Sequence, residues 1–451
     1  YFKTKCVTIN KEELGMKIIE LTENQFKNYS KLHSARNYFQ TPEYAHIGKH
    51  VIYYLGFINE NDNTLMAATL LLERKIGNFK IGYVPGSFLI DYNNDNLLKD
   101  FIKTLKDYLK KKKYVYLTSN HLSTYKMFNK NNEIMYYDTN IIKILDELGF
   151  IKTNKYPIRN VVLETEKTPN ETYKLFNLNT KRNITTSTRR SINIYMDDTN
   201  NIEPLLKLNN SINKNKLADT IKYFNTDNVK AEIYYAKINP EQYVNNYRFL
   251  LKEEDYKNDM LNEKIQNFNI KKTNSLINKK MNSDKKKTKY QNEIIKATNL
   301  YTKYPNEVII GGILIIKNNR EIYFVEEGYN KELQSFYSSH LIKWEIIKKY
   351  LTEGYKIFNF GPIKSTDTKN GNYTFKMGFG GKVYEYIGTY DLIINKYLYR
   401  IIKIIVKIKD ITFFIVYIFI YSFLSLLFPQ LFCLSLQKLY YNLISFLTYL
   451  L

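Results

Sequence analysis

The sequence predicts a mixed fold, α/β or α+β, of two sheet-bearing units, the second interrupted by a long helical hairpin. Three observations predict it. From Phe39 to Gly149 short apolar runs alternate with amphipathic helical stretches, and similar patterning resumes near Val161 and again at Val308. Between Pro240 and Pro305 lie 64 residues without Gly or Pro, rich in Lys, Glu, Asn and Leu. After Asp410 the chain turns apolar, and Ile411 to Gln437 contains no charged residue.

In order along the chain, Val51–Phe57, Leu65–Leu72, Lys80–Val84 and Tyr114–Leu117 read as strands. Asn96–Lys112 reads as a helix ending in a lysine run, where cations suit the negative end of the helix dipole. Asn140–Leu148 is a second helix, closed by Gly149. Val161–Leu163 is a strand, and Pro169–Phe176 is a helix with proline in its first turn. Ile233–Ile238 is a strand, and Val308–Ile316 and Glu321–Glu326 form a strand pair around Asn318-Asn319. Ser338–Tyr350 is a helix stopped at Gly354, and Lys356–Phe360 is a strand entering Gly361-Pro362.

In the Gly- and Pro-free segment, Tyr290, Ile294, Ala297, Tyr301 and Tyr304 keep a 4–3–4–3 spacing, which predicts a coiled-coil seam. Asn282-Ser283-Asp284 is the expected tip of the hairpin. At 1.5 Å per residue, two arms of about 28 residues reach ~40 Å. Lys264–Lys289 holds nine lysines and one acid, so the outer hairpin is strongly basic and a candidate nucleic-acid contact.

The 451 residues carry 67 Lys+Arg against 44 Asp+Glu, a net charge of +23. That excess points to a polyanionic partner, nucleic acid or an anionic membrane, although AT-rich coding also produces such a bias. Hydrophobic residues at 44% supply ample core and exclude disorder of the whole chain. Two cysteines near opposite ends form no disulfide framework, and five histidines show no metal-ligand spacing. Zinc and redox enzymes are thereby disfavoured. No signal peptide is read. Ile411–Phe428 is an 18-residue, largely apolar run preceded by Arg400, Lys403, Lys407 and Lys409. It predicts a membrane-spanning segment that keeps the globular body on the cytoplasmic side.

Three stretches carry candidate chemistry. Gln40-Thr41-Pro42-Glu43-Tyr44 reads as a capped helix start. Asn179-Thr180-Lys181-Arg182-Asn183, followed by Arg189-Arg190, offers phosphate donors. Tyr373-Thr374-Phe375-Lys376-Met377-Gly378-Phe379-Gly380-Gly381 sets one lysine between aromatics and glycines, where it can stabilise a developing oxyanion.

In this order, and together with Tyr83-Val84-Pro85-Gly86, Asp91-Tyr92, Leu148-Gly149-Phe150, Pro157-Ile158-Arg159, Trp344-Glu345, Asn359-Phe360-Gly361 and Glu385-Tyr386-Ile387-Gly388, these stretches resemble the FemA/FemB/FemX family of peptidoglycan bridge-forming aminoacyltransferases. The resemblance runs to about Lys403. It implies an α+β fold of two GNAT-like subdomains with an inserted antiparallel coiled coil. Beyond the family pattern the residues themselves give a basic linker helix at 391–410 and a hydrophobic tail at 411–451, while the resemblance places the first subdomain at 1–155, the second at 156–240 and 305–390 and the arm at 241–304. It implies transfer of Gly, Ala or Ser from aminoacyl-tRNA to the stem peptide of lipid II or a UDP-linked precursor, with no cofactor. The basic cluster and the apolar tail predict attachment to the inner face of the cell membrane, and the resemblance adds homologous bridge-forming transferases as further partners.

Residue by residue, the resemblance makes Lys376 and Phe375 the catalytic candidates. Lys49, Tyr83, Arg159, Lys181, Arg182 and Asn183 become the precursor-binding candidates. Lys271, Lys272, Lys279, Lys280, Lys285, Lys286 and Lys287 become the tRNA-binding candidates. The chain departs from the family pattern where Gly48 precedes Lys49 and where Thr185 and Thr186 replace basic residues. Two other readings compete. One is an acetyl-CoA-dependent GNAT acyltransferase, against which the chain lacks the [RQ]-x-x-G-x-[GA] loop. The other is a membrane-tethered, non-enzymatic coiled-coil protein that binds nucleic acid.

Overall fold

The computed structural model describes residues 15–154, 158–266, 270–319 and 321–406. Among the described residues fourteen strands form one sheet. They are β1 (Met16–Glu20), β2 (Val51–Asn59), β3 (Leu65–Ile76), β4 (Phe79–Val84), β5 (Tyr114–Phe128), β6 (Ile134–Tyr137) and β7 (Phe150–Lys152), then β8 (Ile158–Glu164), β9 (Ile192–Met196), β10 (Val229–Ile238), β11 (Val308–Asn318), β12 (Glu321–Tyr329), β13 (Ile357–Ile363) and β14 (Lys382–Ile393). The helices are α1 (Glu23–Leu32), α2 (Pro42–Ala45), α3 (Asp95–Lys111), α4 (Asn140–Glu147), α5 (Pro169–Leu175) and α6 (Leu178–Arg189), then α7 (Glu203–Leu208), α8 (Lys214–Tyr223), α9 (Pro240–Gln266), α10 (Ile270–Lys303), α11 (Ser338–Thr352) and α12 (Gly371–Met377).

Local sequence fixes many of the helix starts. Thr22 with Gln25 and Thr168 with Glu171 form capping boxes, and Thr41 and Asn94 accept from the first-turn amides of their helices. The sheet order is β1-β2-β3-β4-β5-β14-β8-β13-β12-β11-β10-β9. Pairing is antiparallel except at β4–β5 and β12–β13. Each parallel junction is bridged by a helix, α3 in one half and α11 in the other, as a parallel crossover requires. The halves thus repeat one strand–helix–strand plan.

The last strand joins them. β14 pairs with β5 over its whole length, with β8 through Lys382–Tyr386 and with β7 through Tyr390–Leu392. A core around Leu71, Phe101, Leu105 and Leu117 fills the first half, and one around Ile315, Ile346, Phe358 and Phe379 fills the second. One strand read from the sequence is longer in the structure. Tyr114–Leu117 is the start of a 15-residue strand, because Asn120–Phe128 continues it as the partner of β14. Tyr373–Met377 lies in α12, capped by Asn370, which accepts from the amides of Asn372 and Tyr373.

The helical hairpin is present, but its tip is displaced. Asn282, Ser283 and Asp284 lie inside α10, and the connection falls between Gln266 and Ile270. The cross-arm pairs show why: Tyr247 stacks edge-on against Tyr290, Asn258 bonds Asp284 at 2.7 Å, and Lys287 pairs with Asp255 at 2.8 Å. The seam is also shifted. Glu293 and Leu300 are buried where the spacing had placed Ile294 and Tyr301, and Tyr301 is exposed. The cause is a polar clamp at the arm's base. Arg190, which ends α6, makes two hydrogen bonds to Glu293, at 2.9 and 3.0 Å, and the Tyr243 hydroxyl adds a third at 2.7 Å. Burial would raise the Glu293 carboxyl, but Tyr243 and the Arg190 charge outweigh it and hold it below the ordinary range.

Among the described residues no helix is long and apolar enough to cross a membrane. The tail segment 411–428 lies outside the described residues. Arg190→Ala removes the buried cation from Glu293 and leaves it Tyr243 and the exposed Lys296, so it should cost ~3 kcal/mol in urea unfolding. A loss below ~1 kcal/mol would show that Glu293 re-solvates when its partner is removed.

Candidate functional site

Lys376 sits in the last turn of α12, and its Nζ donates to the Pro362 carbonyl at 2.8 Å. Two glycines allow this placement. Gly378, just past the helix, has Thr180 against it so closely that a Cβ would lie 2.3 Å from Thr180 Oγ1. Gly361 adopts φ +75°, and a Cβ there would point within 3.8 Å of Lys376 Nζ. The wall beside the lysine is therefore bare backbone.

Lys376 and Phe375 line a cavity of about 420 Å³ with Glu327, Tyr329, His340 and Asn372. Tyr337, in the left-handed region at φ 58°, starts α11 abruptly and sets Ser338 and Ser339 on the same wall. The positive end of the α11 dipole therefore borders the cavity. Beneath lies Lys343, 1% exposed, with Nζ 2.6 Å from Glu327 Oε2 and 4.8 Å from the centre of the Phe375 ring. Burial pulls the Lys343 ammonium below its ordinary pKa, against the attraction of Glu327. Burial, aided by the Lys343 charge, brings Lys376 down to about 8. The same two causes bring His340 down to about 4, so its imidazole is neutral near pH 7. Two cations against one carboxylate leave the cavity suited to a developing negative charge.

The structure brings some of the sequence candidates together and separates others. Asn183 Nδ2 lies 3.3 Å from His340 Nε2, and the ring of His340 meets that of Phe375 edge-on. Asn183 thus belongs with Lys376. Lys181, two residues earlier on α6, donates to the Lys174 carbonyl at 2.9 Å, and Arg182 is exposed on the same helix. Lys49 is exposed in the bend before β2, and Tyr83 packs with Tyr44, Leu70 and Leu72 on the β3–β4 ladder. Arg159 turns to the opposite sheet face from Ile158 and Asn160, where its Nε bonds Glu385. On the arm, Lys279, Lys285 and Lys286 are exposed. Lys280, Lys286 and Lys287 lie within 4.0 Å of Asp284, Glu254 and Asp255 respectively. The side chains of Lys271 and Lys272 lie outside the described residues.

Sequence reasoning missed Lys343, Glu327 and the placement of His340. A signal for Lys343 existed: it stands on the stripe Ile346, Ile347 and Tyr350 at helical spacing, a charge where an apolar side chain is the rule. Glu327 and His340 carry no such mark.

Comparison with known proteins follows this geometry. The FemAB family model matches residues 21–407. Aminoacyltransferase FemA of Staphylococcus aureus (strain NCTC 8325 / PS 47) is 24% identical over 427 residues, covering 88% of this chain and 99% of that protein. Aminoacyltransferase FemA of Staphylococcus epidermidis (strain ATCC 12228 / FDA PCI 1200) is 26% identical over 390 residues, covering 79% and 90%. The crystal structure of FemX superimposes with a TM-score of 0.65 at 17% identity, covering 86% of this chain and 99% of that one.

The field at Lys376 can be read without knowing the substrate. Amine-reactive labelling, which needs the neutral amine, should reach half-maximum at Lys376 near pH 8 and only at far higher pH on exposed lysines. Lys343→Met removes the repelling cation and should move that midpoint upward, as peptide mass spectrometry would report. An unmoved midpoint would mean that burial alone depresses Lys376.

Proposed function

The chain belongs to the FemAB family, and from that premise we propose how its cavity serves an aminoacyltransferase of peptidoglycan interpeptide-bridge synthesis. The donor is an aminoacyl-tRNA, and the acceptor is an amine on the stem peptide of lipid II or a UDP-linked precursor. Gly, Ala and Ser are the amino acids proposed. The observation that carries this reading is the Lys376 ammonium, held on the wall of a cavity that Glu327 also lines, with the buried Lys343 paired to Glu327 beneath.

An aminoacyl ester is already activated, so the reaction is aminolysis. It needs alignment of two substrates and a donor for the tetrahedral oxyanion, without a nucleophilic serine or cysteine. Lys376 is the oxyanion donor, with the α11 N-terminus reinforcing the field. Phe375 shapes the wall, and Asn183 steadies the neutral His340 beside it. Arg182 and Lys181 extend this cationic edge along α6 toward precursor phosphates. The two-unit division of the chain at residue 155 belongs to this reading, each unit contributing one side of the substrate path. So does the uncharged stretch Ile411–Gln437, which would hold the body at the inner face of the membrane that carries the acceptor.

Lys376→Ala should lower turnover ~10²–10³-fold with precursor binding nearly intact. The measurement is mass spectrometry of lipid II after incubation with each charged tRNA. Wild-type turnover in the variant would remove Lys376 from the chemistry.

The exposed arm lysines make a separate prediction. Replacing Lys279, Lys285 and Lys286 together by Ala should flatten the plot of log affinity for tRNA against log salt by ~0.7–0.9 per lost phosphate contact. An unchanged slope would make the arm's charge a solvated face.

A further inference from the structure

The β5–β6 hairpin projects past the ladder with β14, which ends at the Phe128–Val383 pair. Among the described residues β6 pairs only with β5, and all of Ile134–Tyr137 is exposed. An isoleucine, a methionine and two tyrosines in so short a strand would ordinarily bury one face. Here Met135 is 53% exposed and Tyr137 62%.

A second apolar element stands beside it. In the link between α5 and α6, Phe176 turns into the core, while Leu175 and Leu178 stay outside, Leu178 at 83% exposure. The turn after α12 holds the link there. The Asn177 amide donates to the Gly378 carbonyl at 2.9 Å, and a Cβ on Gly380 would lie 2.9 Å from Leu175 Cβ. Asn177 caps α6 by accepting from the Thr180 amide, so the start of the helix needs no apolar side chain at Leu178. Neither core packing nor helix formation accounts for the exposed leucines.

The two elements meet around one open groove of about 890 Å³, lined by Met135, Leu175, Leu178 and Met377. Lys130, Lys174 and Lys382 line it as well, and among the described residues no acid does. Glu133, in the hairpin turn, bonds Asn129, and Glu171, at the far end of α5, closes a capping box with Thr168.

Single exposed apolar side chains are ordinary on a protein surface, but a group of them drawn from two elements marks a contact surface. The chemistry selects the partner. Lysine is depleted at protein–protein interfaces. Leucine and methionine have nothing to meet on a nucleic-acid phosphate backbone. An anionic bilayer offers both halves: an acyl boundary for the apolar side chains, and phosphates for ammonium groups whose stems lie along apolar surface. Tyrosine, with an apolar ring and a polar tip, suits the headgroup level.

We propose that this face docks on the anionic surface of a lipid bilayer, with Met135, Leu175 and Leu178 entering the headgroup boundary and Lys130, Lys174 and Lys382 meeting lipid phosphates. Helix α12 carries the link to the chemistry, since Met377 lines this groove and Lys376 lines the other cavity. Docking therefore sets the Lys376 cavity close to the bilayer. The contact needs neither tRNA nor acceptor, so it stands apart from the transfer reading, and it is separate from the apolar stretch after Asp410.

The test uses the full chain carrying Cys6→Ser and Cys433→Ser and one new cysteine labelled with an environment-sensitive nitrobenzoxadiazole dye. The new cysteine is Leu178→Cys, Met135→Cys or, as a control in the loop after β9 at the far edge of the sheet, Asp198→Cys. Vesicles of phosphatidylglycerol and phosphatidylethanolamine should shift the emission of Leu178→Cys and Met135→Cys to the blue and leave Asp198→Cys unchanged. Vesicles of phosphatidylcholine alone should shift none of them. Lys130→Ala, Lys174→Ala and Lys382→Ala together should weaken the docked state ~10²-fold, at roughly fivefold per lysine, and so remove the shift. Circular dichroism of that variant should match wild type, because none of the three lysines is buried. A chain that floats with anionic vesicles while Leu178→Cys and Met135→Cys keep the emission of dye in water overturns the proposal, since another segment then holds the body. An equal shift at Asp198→Cys, or an equal shift in phosphatidylcholine, overturns it too. A blue shift that grows with protein concentration without vesicles also overturns it, and makes the face a contact between two copies of the chain.

Discussion

The antiparallel ladder between β14 and its neighbours governs where everything else sits. β14 follows α12 by four residues, so the ladder that fixes Lys382–Tyr386 against β8 also fixes the lysine-bearing turn just before it. The same strand continues along β5, and Tyr125 and Arg159, from strands on either side, both bond the buried Glu385 between them. Such pairing closes loops of more than 200 residues, which carries a large entropic cost and is expected to form late in folding. A strand that late in sequence and that central in the sheet makes both halves one cooperative structure, although each repeats the same strand–helix–strand plan.

On that frame sit two cavities. The Lys376 cavity holds two ammonium groups against one carboxylate, with a helix N-terminus on its wall, and so favours developing negative charge. A second cavity, floored by β8, β13, β12 and β14, is lined by Glu321 and Glu164 together with Arg36. Only Gly361-Pro362 stands between, and the backbone there is bare because Gly361 adopts a conformation that side chains rarely take.

The arm obeys a different rule from an ordinary coiled coil. Its base is clamped by Arg190, Glu293 and Tyr243, and its outer half by Asn258–Asp284 and Lys287–Asp255. Polar seams of this kind fix register at some expense of stability. Because Arg190 also ends the helix that carries Asn183, the arm and the Lys376 cavity share one rigid element, α6.

Most strands and helices were legible because alternation, caps and glycine stops are local and survive in any context. The FKMGF stretch was legible as a candidate site, since it sets a lone lysine among aromatics and glycines, and Phe375 and Lys376 line a cavity. The sequence could not locate the hairpin tip. A 4–3 repeat fits neighbouring registers almost equally well, and a buried glutamate at 293, bonded to a residue 103 positions away, decided between them. Lys343, Glu327, His340 and Glu321 became parts of cavities only through strand order and the crossover of α11. Sequence sets which residues can form a strand or a helix. Which polar side chains end up facing one another across a sheet depends on pairings between strands hundreds of residues apart, and no local pattern records them.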